Sequence, residues 1–173
     1  MVGLKRGMVK LVPHNPEWDE LFQSERMKLL KVFGDLVVDI QHIGSTAIPT
    51  IPAKPIIDIA ILVKLLKEVN NYVEKIGRLG YQKKQENRPE RLFFTKGPED
   101  NRIVYLHVGD DSTNYIKDMI LFRDYLIQNP REAKRYADFK QELAEKFADN
   151  REPYTAAKEK FVQEAIDRAK ASR

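Results

Sequence analysis

The most apolar run in the chain, Ile56-Ile57-Asp58-Ile59-Ala60-Ile61-Leu62-Val63, carries a single carboxylate. Side chains alternate along a strand, so Ile56, Asp58, Ala60 and Leu62 share one face while Ile57, Ile59, Ile61 and Val63 share the other. Two apolar faces predict a central strand covered on both sides. Asp58 is then the exception, because a carboxylate in such a strand is costly unless a metal, a cation or a hydrogen bond partners it. Upstream, Leu36 to Ile40 reads as another strand, running through Gln41-His42-Ile43 into the corner Gly44-Ser45. Pro49, Pro52 and Pro55 stiffen the segment between the two strands, and Lys54 sits between the last two prolines. A glycine admits close approach of the backbone to a ligand, and a hydroxyl beside it can donate to phosphate oxygens. Corner and acid together suggest a phosphate-and-metal site.

The rest of the chain supplies the frame. Asn15 before Pro16, with Glu17 and Asp19 behind it, predicts a helix start. Trp18, Leu21, Phe22, Glu25, Leu29 and Phe33 carry that helix to a stop at Gly34, as a cover for the sheet. Lys64 to Gly77 reads as a second helix, and Tyr81–Gln85, Arg91–Lys96 and Arg102–Val108 as three more strands between turn-forming segments. In the last of these, Val104, Leu106 and Val108 form the core face, and Tyr105 and His107 the opposite one. The final third predicts three helices, broken at Asn129-Pro130 and near Asp149-Asn150.

At 173 residues the expectation is one domain, 1–173, with a core over 1–128 and C-terminal helices over 129–173 packed on it. The chain has no cysteine, which excludes disulfides, thiolate nucleophiles and cysteine-bound metals and is compatible with the expected cytoplasmic location. No signal peptide and no run of ~20 apolar residues is read, so no membrane partner is expected. A net charge of +4, spread along the chain, suits anionic ligands but gives nucleic acid no support.

His42-Ile43-Gly44-Ser45-Thr46-Ala47-Ile48-Pro49, followed by Ala53-Lys54-Pro55-Ile56-Ile57-Asp58-Ile59, resembles the signature of the GrpB family, small bacterial proteins of the nucleotidyltransferase superfamily. Leu106-His107-Val108, Leu121-Phe122-Arg123-Asp124-Tyr125-Leu126 and the spaced Tyr136, Lys140, Tyr154 and Lys158 extend the likeness over nearly the whole chain. The resemblance implies an α/β fold, a nucleotidyltransferase-like mixed sheet of about five strands with an N-terminal helix and a C-terminal helical segment. It also implies transfer of a nucleoside monophosphate from a nucleoside triphosphate to an unknown acceptor, with magnesium as cofactor; the alternative is a nucleotide- or phosphate-binding protein of the same fold that catalyses nothing. The superfamily pattern has a Gly-Ser corner, about a dozen residues, then a strand with two carboxylates two positions apart. Here Asp58 stands at that distance from Ser45, and Ala60 stands where the second acid belongs.

The resulting expectations are specific. Asp58 and His107 are the catalytic and metal-binding candidates, with Asp110 and Asp111 as further acids near the same strand end. Gly44, Ser45 and Lys54, with Lys140, Tyr154 and Lys158, are the nucleotide- and phosphate-binding candidates. Each has a plainer role open to it. Ser45 can cap a turn, Asp58 can be neutralised by Lys54 or an arginine, and the lysines can be solvated. His107 can bind metal, act as a base or close the cleft. His42 either contacts the ligand or hydrogen-bonds the loop as a support. Ser45, Asp58 and His107 are expected to line one cleft.

Overall fold

The computed structural model describes residues 2–172. Five strands form one mixed sheet: β1 (Val37–Ile43), β2 (Ile57–Val63), β3 (Tyr81–Lys84), β4 (Leu92–Lys96) and β5 (Val104–Gly109). Their spatial order is β1-β2-β5-β4-β3, with only the β2/β5 pair parallel. The apolar run Ile57–Val63 therefore lies inside the sheet, as its two-faced hydrophobicity requires.

Helix α1 (Glu17–Phe33) covers the first face. The Asn15 side-chain oxygen accepts from the Glu17 amide at 3.0 Å, and Gly34 ends the helix at φ +53°. Trp18, Phe22, Leu29 and Phe33 pack on Ile57, Ile59, Ile61, Val63, Val104, Leu106 and Val108 to form the main core. The buried Glu25 of α1 is held there by Lys28, Lys96 and the Tyr81 hydroxyl. Burial pushes its pKa up, but those three hydrogen bonds outweigh it and hold the carboxyl below its ordinary value.

The segment expected as a helix over Lys64–Gly77 is instead a 3-10 turn, Leu66–Tyr72, leading into a short α2, Val73–Arg78. Its sequence accounts for the difference. Asn70, Asn71 and the β-branched Val69 and Val73 are weak helix formers, and Asp110 fixes the first turn by accepting from the Leu66 amide at 2.7 Å.

The second face is covered by the C-terminal helices α3 (Tyr115–Gln128), α4 (Pro130–Lys146) and α5 (Arg151–Ala171). Ile116 and Met119 of α3 pack on Ile43, Ala60 and Leu62. Farther along, Leu121, Phe122, Leu126, Tyr136 and Ile166 enclose Ile48 and Ile51 of the β1–β2 connection. That connection is pinned on both sides, since Val12 and Ala53 exchange backbone hydrogen bonds at 2.9 Å. The space left between the sheet face and the helices is the site.

Candidate functional site

A cavity of about 810 Å³ opens on the second face of the sheet, and Gly44, Ser45, Lys54, Asp58, His107 and Lys158 all line it. Ser45, Asp58 and His107 thus meet in one cleft although they come from three different elements. Asp58 faces Tyr105 across the β2/β5 pair and Ala60 faces His107, so Asp58 and His107 are diagonal neighbours on one face. Asp58 lies near the beginning of its strand, and the cavity spreads over the sheet face from there.

Gly44 makes the corner possible. It ends β1 at φ +69° and ψ −172°, a conformation essentially restricted to glycine. A Cβ at this position would sit 2.6 Å from Asp58 Oδ2, so the bare glycine is what lets the acid lie against the corner. Behind the loop, His42 resolves to the supporting role. Its Nε2 is 2.9 Å from Thr46 Oγ1, its Nδ1 is 3.0 Å from Asp19 Oδ1, and its ring stacks on Phe22. Burial lowers its pKa against the opposing pull of Asp19. Arg123, in the Leu121–Leu126 motif, donates to the His42 carbonyl at 2.6 Å and to Gln41 at 3.0 Å. Strand end and corner are therefore braced from both sides.

Lys140 is only 1% exposed, and its ammonium donates to Ser45 Oγ at 2.9 Å and to the Pro52 carbonyl at 2.6 Å. It lines the cavity beside the corner and fixes the Ser45 hydroxyl oxygen as an acceptor, and the same hydroxyl also meets the buried Tyr136. Tyr154 stands between two cations: Lys158 Nζ is 4.6 Å and Lys54 Nζ 5.3 Å from its ring centroid. Arg151, which the sequence did not single out, lies 4.9 Å over the Tyr105 ring and donates to its hydroxyl at 2.9 Å. Burial, then Lys158 and Arg151, pull the Lys54 pKa down to about 7 against the attraction of Asp58. Burial brings Lys158 to about 8, again opposed by Asp58 and helped by Arg151. Lys140 is held well below its ordinary value by burial and by the other two lysines. Among the described residues none of these four cations has an ion-pair partner.

At the other end of the cavity stands Arg91, also unforeseen. Glu86 grips it with two hydrogen bonds of 2.8 and 2.7 Å, and its Nη1 reaches His107 Nδ1 at 2.7 Å and the Tyr115 hydroxyl. A guanidinium only donates, so His107 Nδ1 must accept and the ring proton sits on Nε2. That N–H points at Asp58 Oδ1, 3.4 Å away. Replacing Arg91 by methionine should release this tautomer. Nitrogen NMR of His107 at pH 8 should show one dominant Nε2–H form in the native chain and a mixture in the variant; identical spectra would remove Arg91 from the arrangement.

These donors do not fit a resident divalent ion. Asp58 offers one carboxylate, and Ala60 offers none where a two-ion clamp needs more. His107 turns a proton toward Asp58 rather than a lone pair. Asp110 is occupied by the Leu66 amide and by Ser112, which together lower its pKa, and Asp111 pairs with Lys117. Both lie past the end of β5, whereas Asp58 is level with Tyr105, a separation of roughly five residues at ~3.3 Å each. Among the described residues no group of three or more His, Asp or Glu side chains could hold a metal.

Residues 8–168 match the family described as "GrpB protein". The chain belongs to the GrpB family. It is 37% identical over 163 residues to the UPF0157 protein YqkA of Bacillus subtilis, covering 94% of this chain but spanning only 47% of that protein. The crystal structure of the conserved protein GrpB from Enterococcus faecalis superposes with a TM-score of 0.86 at 30% identity, over 92% of this chain and 96% of that one. A cytoplasmic RNA terminal U-transferase is similar at a TM-score of 0.53 and 14% identity, over 78% of this chain and 43% of that one. The latter likeness concerns the fold alone, which is nucleotidyltransferase-like. No helix among the described residues of this GrpB-family chain is long and apolar enough to cross a membrane.

Proposed function

We propose that the cavity binds a nucleoside triphosphate. The observation that carries this is the gathering of Lys54, Lys158 and Arg151, none of them ion-paired among the described residues, beside the Gly44-Ser45 corner and Asp58. Half-buried cations without a counter-charge are costly, and a polyanion compensates all of them at once. In this arrangement the Ser45 hydroxyl, held by Lys140, donates to a phosphate oxygen. Lys54, Lys158 and Arg151 meet the remaining phosphate charge. The aromatic wall of Phe93, Tyr105 and Tyr115 leaves room for the base. Binding without transfer is the function this geometry supports best.

Transfer of the nucleoside monophosphate to an acceptor is the second reading, favoured by the Asp58 carboxylate, which is 29% exposed to the cavity and aligned by the His107 N–H. There Asp58 would take the proton of an acceptor hydroxyl while the corner and the lysines hold the phosphates in place. Calorimetric titration with nucleoside triphosphates, in magnesium and in chelator, tests the binding function. The native chain should bind, and Ser45→Ala or Lys54→Ala should weaken binding by roughly 10-fold with folding intact. No binding under either condition overturns it. Release of pyrophosphate from a bound triphosphate, abolished by Asp58→Asn, would add the transfer step.

A further inference from the structure

Resting on the triphosphate reading above, we propose that the cavity takes the phosphate chain bare: Lys54, Lys158 and Arg151 supply the positive charge that a nucleotidyltransferase would take from divalent ions, and binding needs none.

Three independent features of the site lead there. The metal side of the arrangement is dismantled, with Ala60 at the second acid's position and the His107 proton directed at the first. The cation side is overbuilt. Two ammonium groups lie 4.6 and 5.3 Å from the centroid of one ring, Arg151 is anchored on the Tyr105 hydroxyl, and Lys140 donates to Ser45. Finally, the two sides are in electrostatic contact, since Asp58 attracts both Lys54 and Lys158. A divalent ion brought to Asp58 would displace that attraction and face the three cations directly.

The charge balance then decides the ligand's form. A phosphate chain complexed to a divalent ion carries two fewer negative charges than the free chain. It therefore gains less from a cluster of fixed cations, and in a cavity of reduced dielectric that difference is amplified. The rings of Tyr154, Tyr105 and Tyr136 keep the cations in place through their faces while contributing no negative charge that would pair with them. The same geometry gives Asp58 an unexpected role in binding. Glu86, Asp118 and Glu159 also line the cavity but are paired with Arg91, Lys170 and Arg88, so Asp58 is the acid that opposes the bare chain, whereas in a metal site it would be indispensable.

The test is a titration of the full chain with adenosine triphosphate and with inorganic tripolyphosphate, each in excess chelator and each with saturating magnesium. The bare forms should bind at least 10-fold more tightly than the magnesium complexes. Lys54→Met and Lys158→Met should each weaken the bare forms by roughly 10- to 100-fold, the range of a lost hydrogen bond to a charged group. Lys54→Arg, which keeps the charge, should retain most of the affinity and so separates charge from folding. Asp58→Asn should tighten binding of the bare chain. Comparable binding of tripolyphosphate and adenosine triphosphate assigns recognition to the phosphates; a preference for the nucleoside form adds the base to it, and both support the inference. Binding seen only with magnesium, or lost in Asp58→Asn, overturns the inference and leaves the triphosphate site standing. Absence of binding by any form overturns both.

Discussion

Replacing Gly44 by alanine is expected to destabilise the fold by about 3 kcal/mol. Two terms add. The backbone at φ +69° and ψ −172° strains any residue with a Cβ by roughly 1–3 kcal/mol. The new methyl would also stand 2.6 Å from Asp58 Oδ2 and 3.1 Å from its Cβ, contacts relieved only by turning the carboxylate away from the corner or by parting the two strands. Because β1 and β2 are paired with Ile43 opposite Asp58, whatever part of the contact the side chain does not relieve falls on the strand pair. Urea unfolding of Gly44→Ala, Asp58→Ala and the double variant separates the terms. Removing the carboxylate should recover the contact part, giving a coupling of about 1 kcal/mol or more, while the backbone part persists. A Gly44→Ala chain as stable as the native one would mean that the corner relaxes freely, and its close fit to Asp58 would lose its significance.

The corner illustrates what a sequence shows and what it hides. Ile56–Val63 announces a central strand because its signal is local: every residue but one is apolar, and the exception marks the site. The order of acid, glycine and serine is equally local. Arg91, Arg151 and the Asp19–His42–Thr46 brace were invisible because each acts across the fold, with Arg91 meeting His107 from the residue just before β4 and Arg151 meeting Tyr105 from the last helix. Lys140 and Lys158 were singled out only through family resemblance, since nothing in a lysine-rich helix separates a buried ammonium from a solvated one. The structure places both along the cavity, and Lys140 in addition holds Ser45. Asp110 and Asp111 looked close to the site because they follow directly on β5, the strand that carries His107. Parallel pairing with β2 puts them past the far end of the strand. The helix expected after β2 was a matter of propensity, and there two asparagines and a distant cap outweighed the apolar spacing.

The lysine cluster should leave its mark on stability as a function of pH. In the folded chain Lys54 titrates at about 7 and Lys158 at about 8, while in the unfolded chain both titrate near 10.4, the ordinary lysine value. Between those limits the unfolded chain binds more protons, so stability rises with pH across the window from 7 to about 10. Below pH 7 both states are protonated and the penalty of charging the cavity is fully present. The groups acting on Lys54 are Lys158, Arg151, Lys140 and Asp58, and those acting on Lys158 include Asp58, Arg151 and Lys140, so only one of these neighbours is an anion. Lys54→Met should therefore be more stable than the native chain at pH 6.5, and the two curves should converge as pH approaches 10. Each lysine contributes a slope of roughly 1 kcal/mol per pH unit where its two states differ by a full proton. A bound triphosphate favours the charged lysines, so it should flatten the native curve. Its binding at pH 8 should take up protons, measurable as a dependence of the calorimetric heat on the buffer's ionisation enthalpy. If the native and Lys54→Met chains keep a constant stability difference from pH 6.5 to 9.5, Lys54 is an ordinary solvated lysine, and the cluster has no charge held in reserve for a ligand.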